Sequence, residues 1–418
     1  MTQPTEQDAQ DVQDVQDVQD VIVVGGGPAG STAANLLAQG GVKVLLIEKE
    51  VFPRFHIGES LLPCGLPIYQ RLGVDLGKHH LLKRGAEFID ETTNQAAVYH
   101  FDDAMPSEAR FAYQVDRAEF DHELLQAAQR AGAVVREGER VLDHTTGPSG
   151  VSVVTDRGEY HARYLIDATG QDAMFCKHNR TRDPLPGLGK AAVFCHFEGI
   201  SAERMQELFP AGNIKVLMLD AGWSWLIPLR RGALSVGLVS RKAPIRPELL
   251  DELIAKSPTI QRVTEGATKR TAPRIIGNFS FRNTRPYGER WVCIGDAACF
   301  LDPVFSSGVS LAVMGGERMA DLLLPALAEG READGQLMTS LHEHMIRAYE
   351  SVGALIHSFY NTRIVYNLFF ADKPDPELRS GLISLLAGDV WRDDNRFQDM
   401  LLSSKRRSGG LSFPADAE

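Results

Sequence analysis

The 418-residue sequence lacks the usual features of membrane and disulfide-stabilised proteins. No uninterrupted apolar run reaches the roughly 18 residues that a membrane span needs, and the N-terminus is acidic where a signal or transit peptide is basic. The five cysteines form neither a C-x-x-C pair nor a Cys/His spacing typical of a metal site. We therefore expect a cytoplasmic protein with reduced thiols, no membrane contact and no bound metal.

The sequence is also short of positive charge, with 44 Lys and Arg against 55 Asp and Glu and a formal net charge of −11. An acidic chain is a poor non-specific binder of nucleic acid, so we expect no nucleic-acid partner. Six of the acids precede the first basic residue, Lys43, and removing their charge from −11 leaves −5. Residues 1–20 also repeat Asp-Val-Gln and hold little apolar surface, which predicts a disordered acidic tail.

The composition of the whole chain is that of a globular protein, 44% hydrophobic and 24% charged. At about 150 residues per domain, the length predicts two or three domains. A short β-branched run at 21–24 predicts a buried strand, and a helical segment at 31–39 and a second buried run at 42–47 follow it. This order predicts a βαβ unit.

A glycine fingerprint lies between that first strand and its helix. Gly25, Gly27 and Gly30, with Ala29 inside the motif, follow G-x-G-x-x-G, in which the glycines allow a tight turn, close approach to a pyrophosphate and helix packing. Glu48 ends the second strand about 20 residues on, where an acid accepts hydrogen bonds from ribose. The alternative is a structural turn beside a surface acid. The motif's context favours dinucleotide binding.

The pattern changes along the rest of the chain. Strand-like runs divided by turn residues fill 190–285, the parallel type returns at 291–294 before a long helix, and 335–403 has helical spacing. The sequence predicts an α/β fold. Its parts are a discontinuous Rossmann-like dinucleotide-binding domain at 21–185 and 286–330, an inserted antiparallel-sheet substrate domain at 186–285, and a C-terminal helical region at 331–418.

Two further marks indicate which dinucleotide is bound. Asp167 closes a strand before Gly170, and Gly295-Asp296-Ala297-Ala298 follows the strand at 291–294. Together with the N-terminal fingerprint, they resemble the para-hydroxybenzoate-hydroxylase-like FAD fold. The resemblance implies that Asp296 meets the ribityl chain of FAD. With one fingerprint only, the sequence predicts no separate NAD(P)H domain.

Two segments, FPRFHIGESLLP at 52–63 and WSWLIP at 223–228, resemble marks of the flavin-dependent halogenases. The alternative for the two tryptophans is core packing, because residues i and i+2 share one face of a strand. The resemblance implies FAD in its reduced form, supplied by a separate flavin reductase. Oxygen and chloride or bromide then give hypohalous acid, and Trp223 and Trp225 keep the substrate away from the flavin.

The same resemblance implies roles for other residues. Lys83, in a K-x-G-A-x-F pattern, directs the electrophilic halogen, with Lys78 as a nearby alternative, and burial would free the amine of Lys83 to react. Arg54 and Arg117 reach FAD, although Arg117 could instead form an exposed helix pair with Asp121. Ser307 and Gly308, at a helix start, form the halide site, unless Ser307 is a simple N-cap.

The resemblance also narrows the substrate. Tryptophan halogenases carry an acid where this chain has Phe305, and overall the chain is nearest the halogenases of pyrroles tethered to carrier proteins. We expect an acyl or peptidyl carrier protein as partner, with Arg54, Arg84, Lys405, Arg406 and Arg407 as candidate basic contacts. A halogenase of a free phenol, a flavin monooxygenase or reductase of the same fold, and a non-enzymatic flavin-binding protein are the alternatives. The sequence leaves the choice of halide and the oligomeric state open.

Overall fold

The structure, a computed structural model, describes residues 18–185, 188, 191–220, 222–241, 244–277, 280–361, 363–371 and 373–408. The predicted tail at 1–20 lies outside the described residues apart from its last three positions. The side chains of the basic candidates Lys405, Arg406 and Arg407 are outside them as well.

The strands fall into two groups along the chain. The first group is β1 (Gln19–Val24), β2 (Val44–Glu48), β3 (Leu81–Lys83), β4 (Gly85–Asp90), β5 (Gln95–His100), β6 (Ala112–Gln114), β7 (Val134–Glu137), β8 (Val141–Gly147), β9 (Gly150–Thr155) and β10 (Glu159–Asp167). The second group is β11 (Arg182–Pro184), β12 (Ala191–Glu198), β13 (Ile214–Leu219), β14 (Gly222–Pro228), β15 (Leu234–Ser240), β16 (Thr268–Lys269), β17 (Arg274–Gly277), β18 (Phe281–Asn283), β19 (Tyr287–Gly288), β20 (Trp291–Cys293) and β21 (Cys299–Phe300).

The helices are numbered in the same way. They are α1 (Pro28–Gln39), α2 (Leu66–Arg71), α3 (Arg117–Ala131), α4 (Met174–His178), α5 (Ala202–Leu208), α6 (Glu248–Lys256), α7 (Pro258–Thr264), α8 (Gly308–Glu329), α9 (Thr339–Asn361), α10 (Ile364–Phe369), α11 (Pro376–Leu386) and α12 (Arg396–Ser408). No helix in the described part of the chain is long and apolar enough to cross a membrane.

The first sheet has a parallel centre in the order β20-β10-β1-β2-β7. β19 pairs antiparallel with β20, and the β8–β9 hairpin joins β10 antiparallel. Helix α1 packs against α3 and α8, and β1 and β2 are buried almost throughout, as their unbroken apolar runs predict. Because parallel strands end at one edge, the turns that follow β1, β10 and β20 meet there.

The second sheet has the order β16-β12-β15-β14-β13-β4-β5, with β17 also paired to β12. All its pairs are antiparallel except β13 with β4. This sheet differs from the predicted insert at 186–285, because β4 and β5 come from the segment that the sequence assigned to dinucleotide binding. No local pattern in β4 reports its pairing with a strand so distant in the chain as β13, since such a partner is set by the tertiary fold.

The alternation of β14 separates the two faces of the second sheet. Trp223, Trp225 and Ile227 belong to the main core, whereas Leu226 belongs to a second core that α5, α6 and α7 cover. The tryptophan face therefore looks toward the first sheet. The C-terminal helices add to the same main core, for example through Phe369, whose ring stacks on Phe88 at a centroid distance of 3.9 Å.

Candidate active site

A cavity of about 1040 Å³ lies between the carboxyl edge of the first sheet and the tryptophan face of the second. All predicted site residues except Gly30 and Lys83 line it: Gly25, Gly27, Ala29, Glu48, Arg54, Arg117, Trp223, Trp225, Asp296, Ser307 and Gly308. Predicted site residues up to 283 positions apart in the sequence, Gly25 and Gly308, thus share one cavity.

Two glycines of the fingerprint make the turn possible by close backbone packing. Gly25 has a φ of +104°, and a Cβ atom there would lie 2.3 Å from the carbonyl oxygen of Ala168. A Cβ atom on Gly30 would lie 1.9 Å from the carbonyl oxygen of Gly25, which explains why Gly30 lies beneath the cavity and does not line it. At Gly27 the nearest atom to such a Cβ would be in Arg54, at 3.6 Å, so this position leaves room for a ligand to approach the backbone.

The Glu48 carboxylate holds this glycine turn in place. Its Oε2 accepts a hydrogen bond from the backbone N–H of Gly26 at 2.7 Å, and its Oε1 accepts from that of Glu50 at 2.8 Å. A carboxylate has about four acceptor positions, so capacity remains for a ribose hydroxyl.

Arg117 and Asp121 form a buried pair, in contrast to the exposed alternative that their helical spacing allowed. The Arg117 guanidinium donates to both carboxylate oxygens of Asp121, at 2.7 and 2.9 Å, and to the carbonyl oxygen of Ile57 at 2.6 Å. Arg54 donates to the same carboxylate at 2.9 Å. Both cations are therefore fixed by Asp121 at the cavity wall, and Arg54 is not a free surface contact for a carrier protein.

Asp296 lies in the 3-10 turn Gly295–Ala297 that follows β20. Burial raises the pKa of Asp296 to about 7, although the charge of Arg117 and a hydrogen bond from Gln171 oppose this shift. A carboxyl group with a pKa near 7 is partly protonated at neutral pH. It can therefore accept or donate a hydrogen bond, which suits a polyhydroxyl chain.

Both tryptophans are held in place by hydrogen bonds that their indole nitrogens donate. Trp223 Nε1 donates to the hydroxyl of Tyr360 at 2.9 Å, and that hydroxyl donates to Oδ2 of Asp302 at 2.8 Å. Trp225 Nε1 donates to the hydroxyl of Ser235 at 3.0 Å. The sequence assigned no role to Tyr360, because its place beside Trp223 depends on how α9 packs across the second sheet.

Lys83 is buried at the end of β3, with 1% of its surface exposed. Its Nζ donates to the carbonyl oxygen of Leu61 at 2.8 Å and lies 5.3 Å from the ring centroid of Phe101. No carboxylate among the described residues pairs with it, and burial lowers the pKa of Lys83 to about 7. The alternative, Lys78, is 69% exposed and lies near Asp75, so only Lys83 has the burial that the reactive-amine interpretation needs.

Lys83 does not line the large cavity, and its hydrogen-bond partner Leu61 directly precedes Leu62. Leu62 and Cys64 line a second, small cavity of about 10 Å³ together with Phe305 and Ser307. Ser307 lines both cavities. Ser307 therefore joins the wall of the large cavity to the small cavity that the segment after Leu61 lines.

Ser307 precedes the 22-residue helix α8, and its side chain makes no capping hydrogen bond. Ser307 thus occupies the N-cap position, as the alternative stated, but its hydroxyl is not used for capping. A Cβ atom on Gly308 would meet nothing within 4 Å. Since the backbone N–H groups of a first helical turn and the helix dipole attract anions, this end of α8 is suited to a halide.

The sequence analysis missed the buried pair of Glu59 and His196, of which Glu59 lines the large cavity. Glu59 is 1% exposed, and one of its carboxylate oxygens hydrogen-bonds Nε2 of His196, while Oε2 has no partner among the described residues. Burial lowers the pKa of His196, but the hydrogen bond and charge of Glu59 raise it, and the net shift is upward. Glu59 stood inside the 52–63 motif, whereas nothing near His196 in the sequence marked it.

These observations fit a bound FAD. The glycine turn leaves room for a ligand to approach the backbone, and Glu48 and Asp296 provide oxygen acceptors. A buried carboxylate oxygen of Glu59 has no hydrogen-bond donor among the described residues. The cavity is at the upper end of the usual 300–1,000 Å³ for a ligand pocket, as a molecule with two ring systems requires.

Comparison with known proteins points the same way. A family model described as tryptophan halogenase matches residues 20–105 and 91–367. The chain is 28% identical to a 1H-pyrrole-2-carbonyl-[peptidyl-carrier protein] chlorinase of Pseudomonas fluorescens, over 89% of each chain. It is 30% identical to a 1H-pyrrole-2-carbonyl-[peptidyl-carrier protein] brominase of Pseudoalteromonas luteoviolacea, over 93% of this chain and 97% of that one. The crystal structure of the flavin-dependent brominase Bmp2 superposes with a TM-score of 0.81 at 26% identity, covering 94% of this chain and 99% of the other.

Proposed function

The chain belongs to the tryptophan halogenase family of flavin-dependent enzymes, and on that premise we propose that it halogenates a pyrrole ring tethered to an acyl or peptidyl carrier protein. Flavin-dependent halogenases use FAD and halide. The observation that carries the choice of substrate is the apolar surrounding of Ser307. Phe305 is buried there, with ring contacts to Phe88 and Phe359 at centroid distances of 6.5 and 5.7 Å, and a neutral, flat ring suits such a site better than a charged amino acid.

In this proposal each group of residues has one task. Reduced FAD, when bound, supplies together with oxygen the oxidising power that turns halide into an electrophilic halogen. The glycine turn, Glu48, Arg54, Arg117 and Asp296 hold the cofactor, and Ser307 and Gly308 hold the halide. Trp223 and Trp225 keep the substrate away from the flavin.

Lys83 receives or hydrogen-bonds the electrophilic halogen in this scheme. An amine is nucleophilic only in its neutral form, and burial lowers the pKa of Lys83 to about 7, so a large fraction is neutral at physiological pH. Its burial also keeps competing surface nucleophiles away from the halogen.

The proposal implies two protein partners in the cytoplasm. A flavin reductase supplies FADH2, as flavin-dependent halogenases need. The carrier protein, if acidic, would meet basic groups on the surface, and Arg84 is an exposed candidate among those that the structure describes.

Intact-protein mass spectrometry of a pyrrolyl-loaded carrier protein tests the proposal directly. The carrier is incubated with the enzyme, FADH2, oxygen and either chloride or bromide. We expect a mass increase of one or more halogens that requires enzyme, reduced flavin and halide together, and the same experiment reports which halide is used.

Two controls separate the alternatives. A free phenol or free pyrrole carboxylate that is halogenated while the loaded carrier is not would assign a free substrate. Oxygenated or hydrogenated product that forms without halide would instead assign a monooxygenase or reductase, and absence of any turnover of reduced flavin would favour a flavin-binding protein.

A further inference from the structure

Two histidines and one aspartate come together where β8 meets α4. None of the three lines the large cavity, which we call the flavin cavity from here on. Asp143 and His144 lie on β8, and His178 is the last residue of α4. One ligand atom from each of the three side chains lies within 4.8 Å of the other two. The outer two of these residues are 35 positions apart in the chain, so only the fold creates this cluster.

The pairing of β8 is irregular just before Asp143 and His144. Successive side chains of a regular strand point to opposite faces, but the pairing of β8 with β9 shifts register between Val141 and Asp143. Irregular pairing of this kind changes the direction of side chains along a strand, and here the ligand atoms of Asp143 and His144 lie within 4.8 Å of each other.

The two imidazole rings lie close together, with their planes tilted by 52°. Their centroids are 4.7 Å apart, and the His144 ring also lies 4.2 Å from that of Phe175. His144 is only 7% exposed, and in the described part of the chain neither ring makes a hydrogen bond to another protein group. Imidazole nitrogens without a protein partner, close to each other and to a carboxylate, are available as metal ligands.

We propose that His144, His178 and Asp143 form a binding site for a divalent transition-metal ion, with Zn²⁺ as the best-suited ion. Imidazole nitrogen and carboxylate oxygen are the ligands that Zn²⁺ takes, whereas Mg²⁺ and Ca²⁺ prefer oxygen ligands throughout. Three protein ligands leave a fourth position to water. The sequence predicted no metal because the ligand spacing matches no known local motif.

The position of α4 gives this site a structural task. Met174 and Lys177 of the same short helix line the flavin cavity, while His178 belongs to the cluster. A metal ion would therefore tie α4 to β8 and hold one wall of the cavity in place.

Isothermal titration of the metal-free full chain with Zn²⁺ tests the site. We expect one Zn²⁺ per chain, with affinity reduced at least about tenfold in His178→Ala and in Asp143→Asn. Both substitutions change exposed side chains, so folding is preserved, and circular dichroism verifies it. His161→Ala is the matched control, because His161 is an exposed histidine on β10 of the same sheet and should bind as the unmodified chain does.

A Co²⁺ titration gives an independent readout. The site should develop the visible absorption bands of low-coordinate Co²⁺, and His178→Ala should abolish them. Titrations that show no saturable one-to-one binding, or equal affinity in His178→Ala and the unmodified chain, would overturn the proposal.

Discussion

At the scale of single residues, the side chain with the most unusual surroundings is Lys83. A lysine with 1% exposure and no paired carboxylate among the described residues is costly to keep charged. Natural chains rarely bury lysine without a reason, and the reactive amine of the proposed function is such a reason.

Replacing Lys83 by Met should remove halogenation and leave FAD binding intact. Methionine fills similar space without an amine, and loss of a group that acts on the reacting atoms costs about 100-fold or more in rate. Product formation by mass spectrometry and FAD binding by fluorescence quenching are the two measurements. Lys78→Met is the control, since Lys78 is exposed, and normal halogenation by the Lys83→Met enzyme would refute the role.

Lys83 also predicts how stability depends on pH. Burial lowers its pKa from 10.5 to about 7 in the folded state, so between these values the unfolded chain binds more protons. Stability contributed by the lysine therefore rises with pH from about 7 upward, by at most about 1.4 kcal/mol per pH unit.

Urea unfolding at pH 7, 8 and 9 measures this effect. The cofactor-free unmodified chain should gain stability relative to Lys83→Met as the pH rises, because methionine has no proton to lose. Parallel pH dependences of the two proteins would show that Lys83 titrates normally.

At the scale of elements, the unit β1–turn–α1 combines two kinds of glycine. Gly25 and Gly30 are required by backbone packing, whereas Gly27 faces open space beside Arg54. The first kind is needed for the unit to fold, and the second is needed for a ligand to approach the backbone.

Gly27→Val should therefore impair cofactor binding without impairing folding. Gly27 has a φ of −70°, which valine adopts without strain, but its side chain would occupy the space through which a pyrophosphate approaches the backbone. We expect FAD affinity to fall at least about tenfold, measured by flavin fluorescence titration. Gly27→Ala, with a smaller side chain, should lose less, and unchanged affinity in the valine variant would place the pyrophosphate elsewhere.

At the scale of the whole molecule, the cavity depends on three parts of the chain that meet only in the folded state. The first sheet supplies the glycine and Asp296 turns, the second supplies the tryptophans, and the C-terminal helices close the core. The division into an FAD-binding part at 21–185 and 286–330 and a substrate part at 186–285 stays a prediction, and β4 and β5 cross it.

The Tyr360 hydroxyl links all three parts through its hydrogen bonds with Trp223 and Asp302. We therefore expect Tyr360→Phe to disturb the position of the Trp223 indole. Removing one buried hydroxyl typically costs about 1–3 kcal/mol when partners lose a hydrogen bond, and here it frees the indole of Trp223 to move. We expect a lower Tm and a larger fraction of FADH2 oxidised without halogenated product.

Tyr366→Phe is the matched control for this variant. Tyr366 lies on α10 and hydrogen-bonds Asp90 at 2.7 Å, so the substitution removes a comparable hydroxyl away from the tryptophans. It should lower stability without changing the ratio of product to oxidised flavin. An equal loss of coupling in both variants would argue against a positioning role for Tyr360.

The sequence by itself determined the elements whose causes are local. The unbroken apolar runs of β1 and β2, the glycine spacing after β1 and the alternation of β14 each follow from steric or burial rules that act within a few residues. Motif resemblance added Asp296, Ser307 and Lys83 as site residues, and these roles stay predictions.

Only the tertiary structure decided which distant residues share an environment. The burial of Lys83 and of the Arg117–Asp121 pair, the Glu59–His196 contact and the Tyr360 link to Trp223 arise from chain crossings that no local pattern encodes. The physical reason is that pKa shifts and hydrogen bonds depend on desolvation and on neighbours within a few ångströms, whereas periodicity reports only which face of an element is buried.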